Sequence, residues 1–98
     1  LADVRFSRLA EADLIEIDRY TEGTWGAAQA ERYIDGICSF CELLAESPGM
    51  GRRWRRDQPA SRRIEHGSHV IFYKQVPGGI AVLRILHKRM RPPGPVSR

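Results

Sequence analysis

The apolar residues of this chain change their period once, and that change limits the folds open to it. Before Pro48 and Gly49 they recur every three or four residues; after them they alternate or run together. The first spacing is that of one face of a helix, the second that of strands. At 98 residues there is room for one modest core, so both kinds of element must share it.

In the first half, Ala10, Leu14, Ile17 and Thr21 mark a helical stripe that Trp25 extends. Ser7 is suited to cap its start, Glu11 and Asp13 place negative charge early in the helix, and Gly26 ends it. A second helix is expected over 27–45. Its stripe is Ala30, Ile34, Ile37, Cys41 and Leu44, widened by Tyr33, Phe40 and Leu43, and Pro48-Gly49 stops it. So short a connection predicts an antiparallel helical hairpin. Residues 2–6, with Val4 and Phe6 alternating against Arg5, predict a short edge strand before it.

In the second half, 50–60 reads as a loop and 62–65 as a short strand, with a tight turn at Gly67-Ser68. Val70, Ile71, Phe72 and Tyr73 form a strand run, and Pro77-Gly78-Gly79 is a hairpin signal. Residues 80–86 are nearly continuous in apolar character and predict an interior strand. The expected class is α+β: an N-terminal strand and a helical hairpin packed on a small antiparallel sheet. One domain is expected over 1–91, with 92–98 a Pro-rich tail.

Charge divides along the same line. Residues 1–49 hold four Arg against ten Asp or Glu, a net −6; residues 50–98 hold twelve Lys or Arg against Asp57 and Glu65, a net +10. Fourteen of the sixteen cations are Arg, whose planar fork suits carboxylates and phosphates, so the basic half predicts a surface for an acidic partner. The candidate partner-binding residues are Arg52, Arg53, Trp54, Arg55, Arg56, Arg62, Arg63, Arg84, His87, Arg89 and Met90. No apolar run approaches the ~20 residues of a membrane span, and a cytoplasmic protein is expected.

Two patterns invite a metal reading, Cys38-x-x-Cys41 and His66-x-x-His69. The spacing misses the usual zinc arrangements, and Cys41 lies on an apolar stripe, so core cysteine is the better reading and no metal or cofactor is expected. No phosphate loop or nucleophile elbow is present. One catalytic alternative remains: Arg62, Arg84 and Arg89 holding RNA phosphates while His87 moves a proton. Arginines with Glu65 as the one acid among the strands describe binding better than turnover.

Together the pieces carry a family likeness. Ala12-Asp13-Leu14-Ile15-Glu16-Ile17 through Tyr20, then Trp25-Gly26, Gln29-Ala30 and Tyr33, resemble the helical hairpin of ParE-type toxins. Pro48, Gly51 and Arg52 resemble that family's post-helix loop. His69-Val70-Ile71-Phe72-Tyr73-Lys74, Ile80 with Val82, Arg84-Ile85-Leu86-His87 and Met90 resemble its strands. Arg91 stands where the family commonly has an acid. The resemblance implies the RelE/ParE superfamily fold and a type II toxin–antitoxin role. It further implies a hetero-oligomer with a ParD-type antitoxin whose acidic C-terminal segment neutralises the toxin. DNA gyrase is the implied target, inhibited by binding, without sequence-specific nucleic-acid contact and without a membrane. Its RelE-type relatives imply the alternative, a ribosome-dependent mRNA endoribonuclease.

Overall fold

The computed structural model describes residues 2–58 and 60–90, so residue 91 and the 92–98 tail lie outside the described residues. The elements are β1 (Asp3–Phe6), α1 (Arg8–Trp25), α2 (Ala27–Glu46), a 3₁₀ turn at Pro48–Met50, then β2 (Arg52–Arg53), β3 (Ser61–His66), β4 (His69–Val76) and β5 (Gly79–His87). The strands form one sheet in the order β1-β5-β4-β3-β2, and the two helices pack against one of its faces.

The helices begin and end where local chemistry dictates. The Ser7 hydroxyl oxygen accepts the Ala10 N–H at 3.0 Å, an N-cap, while its own proton goes to the Leu83 carbonyl at 2.8 Å. Gly26 alone separates α1 from α2, at a φ of 94° that favours glycine. Ala10, Ile17, Ala30, Ile37, Cys41 and Leu44 are buried, so both stripes meet the sheet as expected. Two stripe residues do not: Trp25 is 70% and Leu43 52% exposed.

The sheet departs from the antiparallel expectation. β3, β4 and β5 are antiparallel, but β1 pairs with β5 in parallel, from Asp3 opposite Gly79 to Phe6 opposite Val82. After β1 the helical hairpin carries the chain across one face to the far edge of the sheet, and β3 and β4 bring it back antiparallel, so that β5 enters beside β1 in the same direction. β2 adds a two-residue edge within the segment read as loop.

A bulge in β5 decides what faces the helices. Tyr73 lies opposite Val82 and Phe72 opposite Arg84, leaving Leu83 as the extra residue. Ile80 and Val82 point to the helices before the bulge; Ile85 and His87 do so after it, because one inserted residue inverts the alternation. The main core is Ile37, Cys41, Leu44, Ile71, Tyr73, Ile80, Val82 and Ile85 with their neighbours. On the opposite face Val70, Phe72 and Leu86 form a small cluster that Trp54 covers.

Candidate partner-binding groove

β1 stops at Phe6, opposite Val82, while β5 runs on to His87, and α1 packs along β5 beyond the end of that pairing. Asp13 fills part of the gap. Its carboxylate accepts the Ile85 N–H at 2.9 Å and both the Nε and Nη2 of Arg84 at 2.9 Å. The guanidinium is held in its charged form by that bidentate contact.

Beyond Asp13 an open groove of about 830 Å³ runs between α1, the start of α2 and the end of β5. Glu16, Ile17, Tyr20, Thr21 and Trp25 form its α1 wall, and Gln29 and Tyr33 come from α2. Ser68, His69, Arg84, Ile85, Leu86, His87 and Met90 form the sheet side. Tyr20 is 71%, Trp25 70% and Met90 59% exposed, so large apolar groups stand in solvent around one concavity. Exposed clusters of this kind mark interaction surfaces.

The groove's far end is built on a histidine row. His66, His69 and His87 lie directly across from one another on β3, β4 and β5, all on the helix-facing side. His66 stacks on Phe40 and His87 meets the edge of His69. Tyr33 Oη accepts the Ser68 N–H at 3.1 Å, lies 2.7 Å from His69 Nδ1, and is within 3.5 Å of the His66 carbonyl oxygen. His69 is held below the ordinary imidazole value, first by desolvation and then by the neighbouring His87 and His66, against an opposing pull from Asp13. The Arg89 N–H donates to His87 Nδ1 at 3.2 Å.

The candidate residues of the basic half fall into separate places. Arg84, His87 and Met90 line the groove, with Arg84 already ion-paired inside the chain. Arg62 donates to the Gly51 carbonyl at 2.8 Å, beside Tyr73, whose hydroxyl donates to Pro48 O and accepts from Gly51 N. Arg63 lies over the Phe72 ring and Arg55 over Trp54, on the other face of the sheet. Arg52, Arg53, Arg56 and Arg89 are exposed. The four groups of the catalytic alternative are therefore spread out. Arg62 and His87 align with β4 positions Tyr73 and His69, about 13 Å apart along the strand at ~3.3 Å per residue.

Among the described residues no three His, Cys, Asp or Glu side chains converge as metal ligands. Burial pushes the Cys41 thiol up to about 12, which suits a core position. The sequence reading missed Tyr20, Tyr33, His69 and Glu16 as groove residues. The usable signal was in Tyr20 and Trp25, two large aromatics near the end of one helix.

A family model described as the ParE toxin of the type II toxin–antitoxin system, parDE, matches residues 4–92. The chain belongs to the ParE toxin family. It is 41% identical over 86 residues to Toxin ParE1 of Caulobacter vibrioides, covering 88% of each chain. It is 38% identical over 85 residues to Toxin ParE1 of Mycobacterium tuberculosis, covering 86% of this chain and 87% of the relative. Toxin ParE of Escherichia coli is 40% identical over 82 residues, covering 83% and 80%. Among solved structures, a chain of the chromosomal ParDE system from P. aeruginosa superposes with a TM-score of 0.73 at 22% identity, over 88% of this chain and 95% of that one. A chain of the RelBE2 toxin–antitoxin complex from Mycobacterium tuberculosis superposes at 0.65 and 20% identity, over 89% and 98%. Two helices on a small mixed sheet is thus the fold of both ParDE and RelBE toxins. The chain is thus a ParE-type toxin of a type II toxin–antitoxin system.

Proposed function

We propose that this toxin inhibits DNA gyrase by binding and is silenced by a ParD-type antitoxin seated in the groove between α1 and β5. The observation that carries the reading is the cluster of Tyr20, Trp25 and Met90, more than half exposed around one concavity. Aromatic anchors in a concavity are what a protein partner's apolar side chains seek. Arg89, exposed between the lining residues His87 and Met90, suits the acids of such a segment. The wide separation of Arg62 and His87 supports binding over RNA cleavage. The cytoplasm, where gyrase works, is the proposed location; no helix among the described residues is long and apolar enough to cross a membrane.

The test is induction in cells lacking the antitoxin, followed by purified gyrase with supercoiled substrate. Expected are filamentation with a DNA-damage response, and gyrase-dependent cleaved DNA in vitro that added antitoxin suppresses. An immediate halt in protein synthesis with no effect on gyrase would overturn the proposal in favour of the ribonuclease.

A further inference from the structure

The groove is not the molecule's most highly charged surface. Residues 8–46, the helical layer, carry three Arg against nine acids, a net −6; residues 52–90, the sheet side, carry ten cations against two acids, a net +8. The two layers thus carry opposite net charge, and the sheet face turned from the helices, which also carries Asp3 and Glu65, has over it no helix but Trp54 on the Val70, Phe72 and Leu86 cluster.

On that face the cations are set out in register. Arg52 lies opposite Arg63, Arg63 opposite Phe72, and Phe72 opposite Arg84, one row across four strands. The neighbouring row places Arg5 and Lys74 either side of Ala81. Arg84 turns over the strand edge to Asp13, but Arg5, Arg52, Arg63 and Lys74 take part in none of the ion pairs among the described residues. The Arg63 guanidinium carbon lies over Phe72, 5.4 Å from the ring centroid, and its buried Nε has no partner among the described residues. A row at ~4.8 Å per strand holds these charges in fixed, sheet-borne places.

We propose that the sheet face turned away from the helices binds the phosphate backbone of duplex DNA without reading its sequence, through Arg5, Arg52, Arg63 and Lys74. Two features select this occupant. A protein interface is organised around exposed apolar anchors, and this face offers none: Val70, Phe72 and Leu86 are buried and Trp54 is half-buried against Phe72. Interfaces rich in Arg and poor in apolar anchors are those of nucleic-acid backbones. Unpaired strands need free aromatic platforms for their bases, and the aromatics here are covered, so the duplex is favoured over single strands. The acidic helical layer repels phosphate and orients the encounter, sheet first. DNA on this face leaves the groove open, so the inference stands whether or not gyrase is the target.

The test is fluorescence anisotropy of the full-length toxin with a labelled duplex of about 20 base pairs, between about 50 and 200 mM KCl. Saturable binding is expected, with log K falling against log salt at a slope near −3.6 for about four phosphate contacts. A scrambled duplex should bind within about twofold, since backbone contacts carry no sequence information. Arg52→Glu with Lys74→Glu should weaken binding by about tenfold or more. Arg19→Glu with Arg32→Glu makes the same change of total charge on the helical layer and should change it by less than about twofold. Should the first pair fail to melt cooperatively, Arg52→Gln with Lys74→Gln replaces it, with a smaller loss in the same direction. Absence of saturable binding at the lowest salt would overturn the proposal. So would equal weakening by the helical-layer pair, which would mean that net charge alone acts. Tighter binding to oligo-dT than to duplex, or binding only to an acidic polypeptide, would overturn the choice of occupant.

Discussion

Asp13 and Arg84, 71 positions apart in the chain, form a bidentate ion pair at 2.9 Å that joins α1 to the open edge of β5. The same carboxylate accepts the Ile85 N–H, a backbone donor that β1 no longer reaches. One side chain thus satisfies three donors at the seam between helix and sheet, beside the groove's mouth. The Asp13 side chain is 13% and the Arg84 side chain 30% exposed, so water can replace only part of what is lost.

Asp13→Ala should therefore cost about 2–3 kcal/mol, because it leaves a guanidinium and a backbone N–H without their acceptor. Asp13→Asn keeps one acceptor oxygen and should cost less. Urea midpoints of the purified proteins measure both. A midpoint for Asp13→Ala within error of the parent would mean that the pair contributes nothing.

Much of this arrangement could be read in advance, and the parts that could not have physical reasons. Both helix stripes, the Ser7 cap and the Gly26 break follow from local rules, and the structure keeps them. The parallel pairing of β1 with β5 does not, because four residues of strand carry no mark of direction. The bulge at Leu83 was visible only as a broken alternation between Val82 and Ile85, and it decides that His87 faces the helices. Trp25 extends the α1 stripe yet stands in solvent, because periodicity marks a side of a helix but not where the covering sheet ends. The basic residues were legible as a set. Their division between groove, loop and the sheet face turned from the helices depends on strand register, which composition does not contain.

The β1–β5 pairing rests on a close approach at Gly79. A Cβ there would meet the Asp3 backbone, including its carbonyl oxygen. Gly79→Ala should destabilise by about 1–3 kcal/mol, through forced backbone displacement of β1. Gly78 has open space but a φ of +86°, so Gly78→Ala should cost about 1 kcal/mol for conformation alone. Hydrogen exchange separates them: Gly79→Ala should lose protection at the Asp3 and Ser7 amides, which donate to Gly78 O and Val82 O, and Gly78→Ala should not. Equal exchange in both would argue against a tight β1 contact.

Stability should fall on mild acidification, and His69 is the cause to test. Its folded value is depressed, first by desolvation and then by His87, so the unfolded chain binds the proton more readily. The stabilisation it contributes is complete above its unfolded value near 6.5 and is lost as pH falls from there toward the folded value. Thermal midpoints between about pH 7.5 and 5.5 should drop, less steeply in His69→Asn than in the parent. The same slope in both proteins would assign the loss to other groups.

The final prediction separates the groove as a docking site from the groove as a catalytic one. Tyr20 and Trp25 are mostly exposed, so Tyr20→Ala with Trp25→Ala should fold normally. If they anchor the antitoxin, the double variant should lose about 2–4 kcal/mol of affinity, or roughly 30-fold to 1,000-fold in Kd. His87 sits between His69 and the Arg89 amide at the other end of the same groove. His87→Gln keeps a polar side chain of similar size but cannot titrate. A general acid or base would lose about 10²–10⁴-fold in rate by that change. A binding residue would lose little, so cells lacking antitoxin should remain sensitive to His87→Gln. Calorimetry with the antitoxin and growth after induction give the two readouts. Full affinity in the Tyr20 and Trp25 variant would remove the groove as the antitoxin's seat. Loss of toxicity in a folded His87→Gln protein that still binds antitoxin would return the ribonuclease reading.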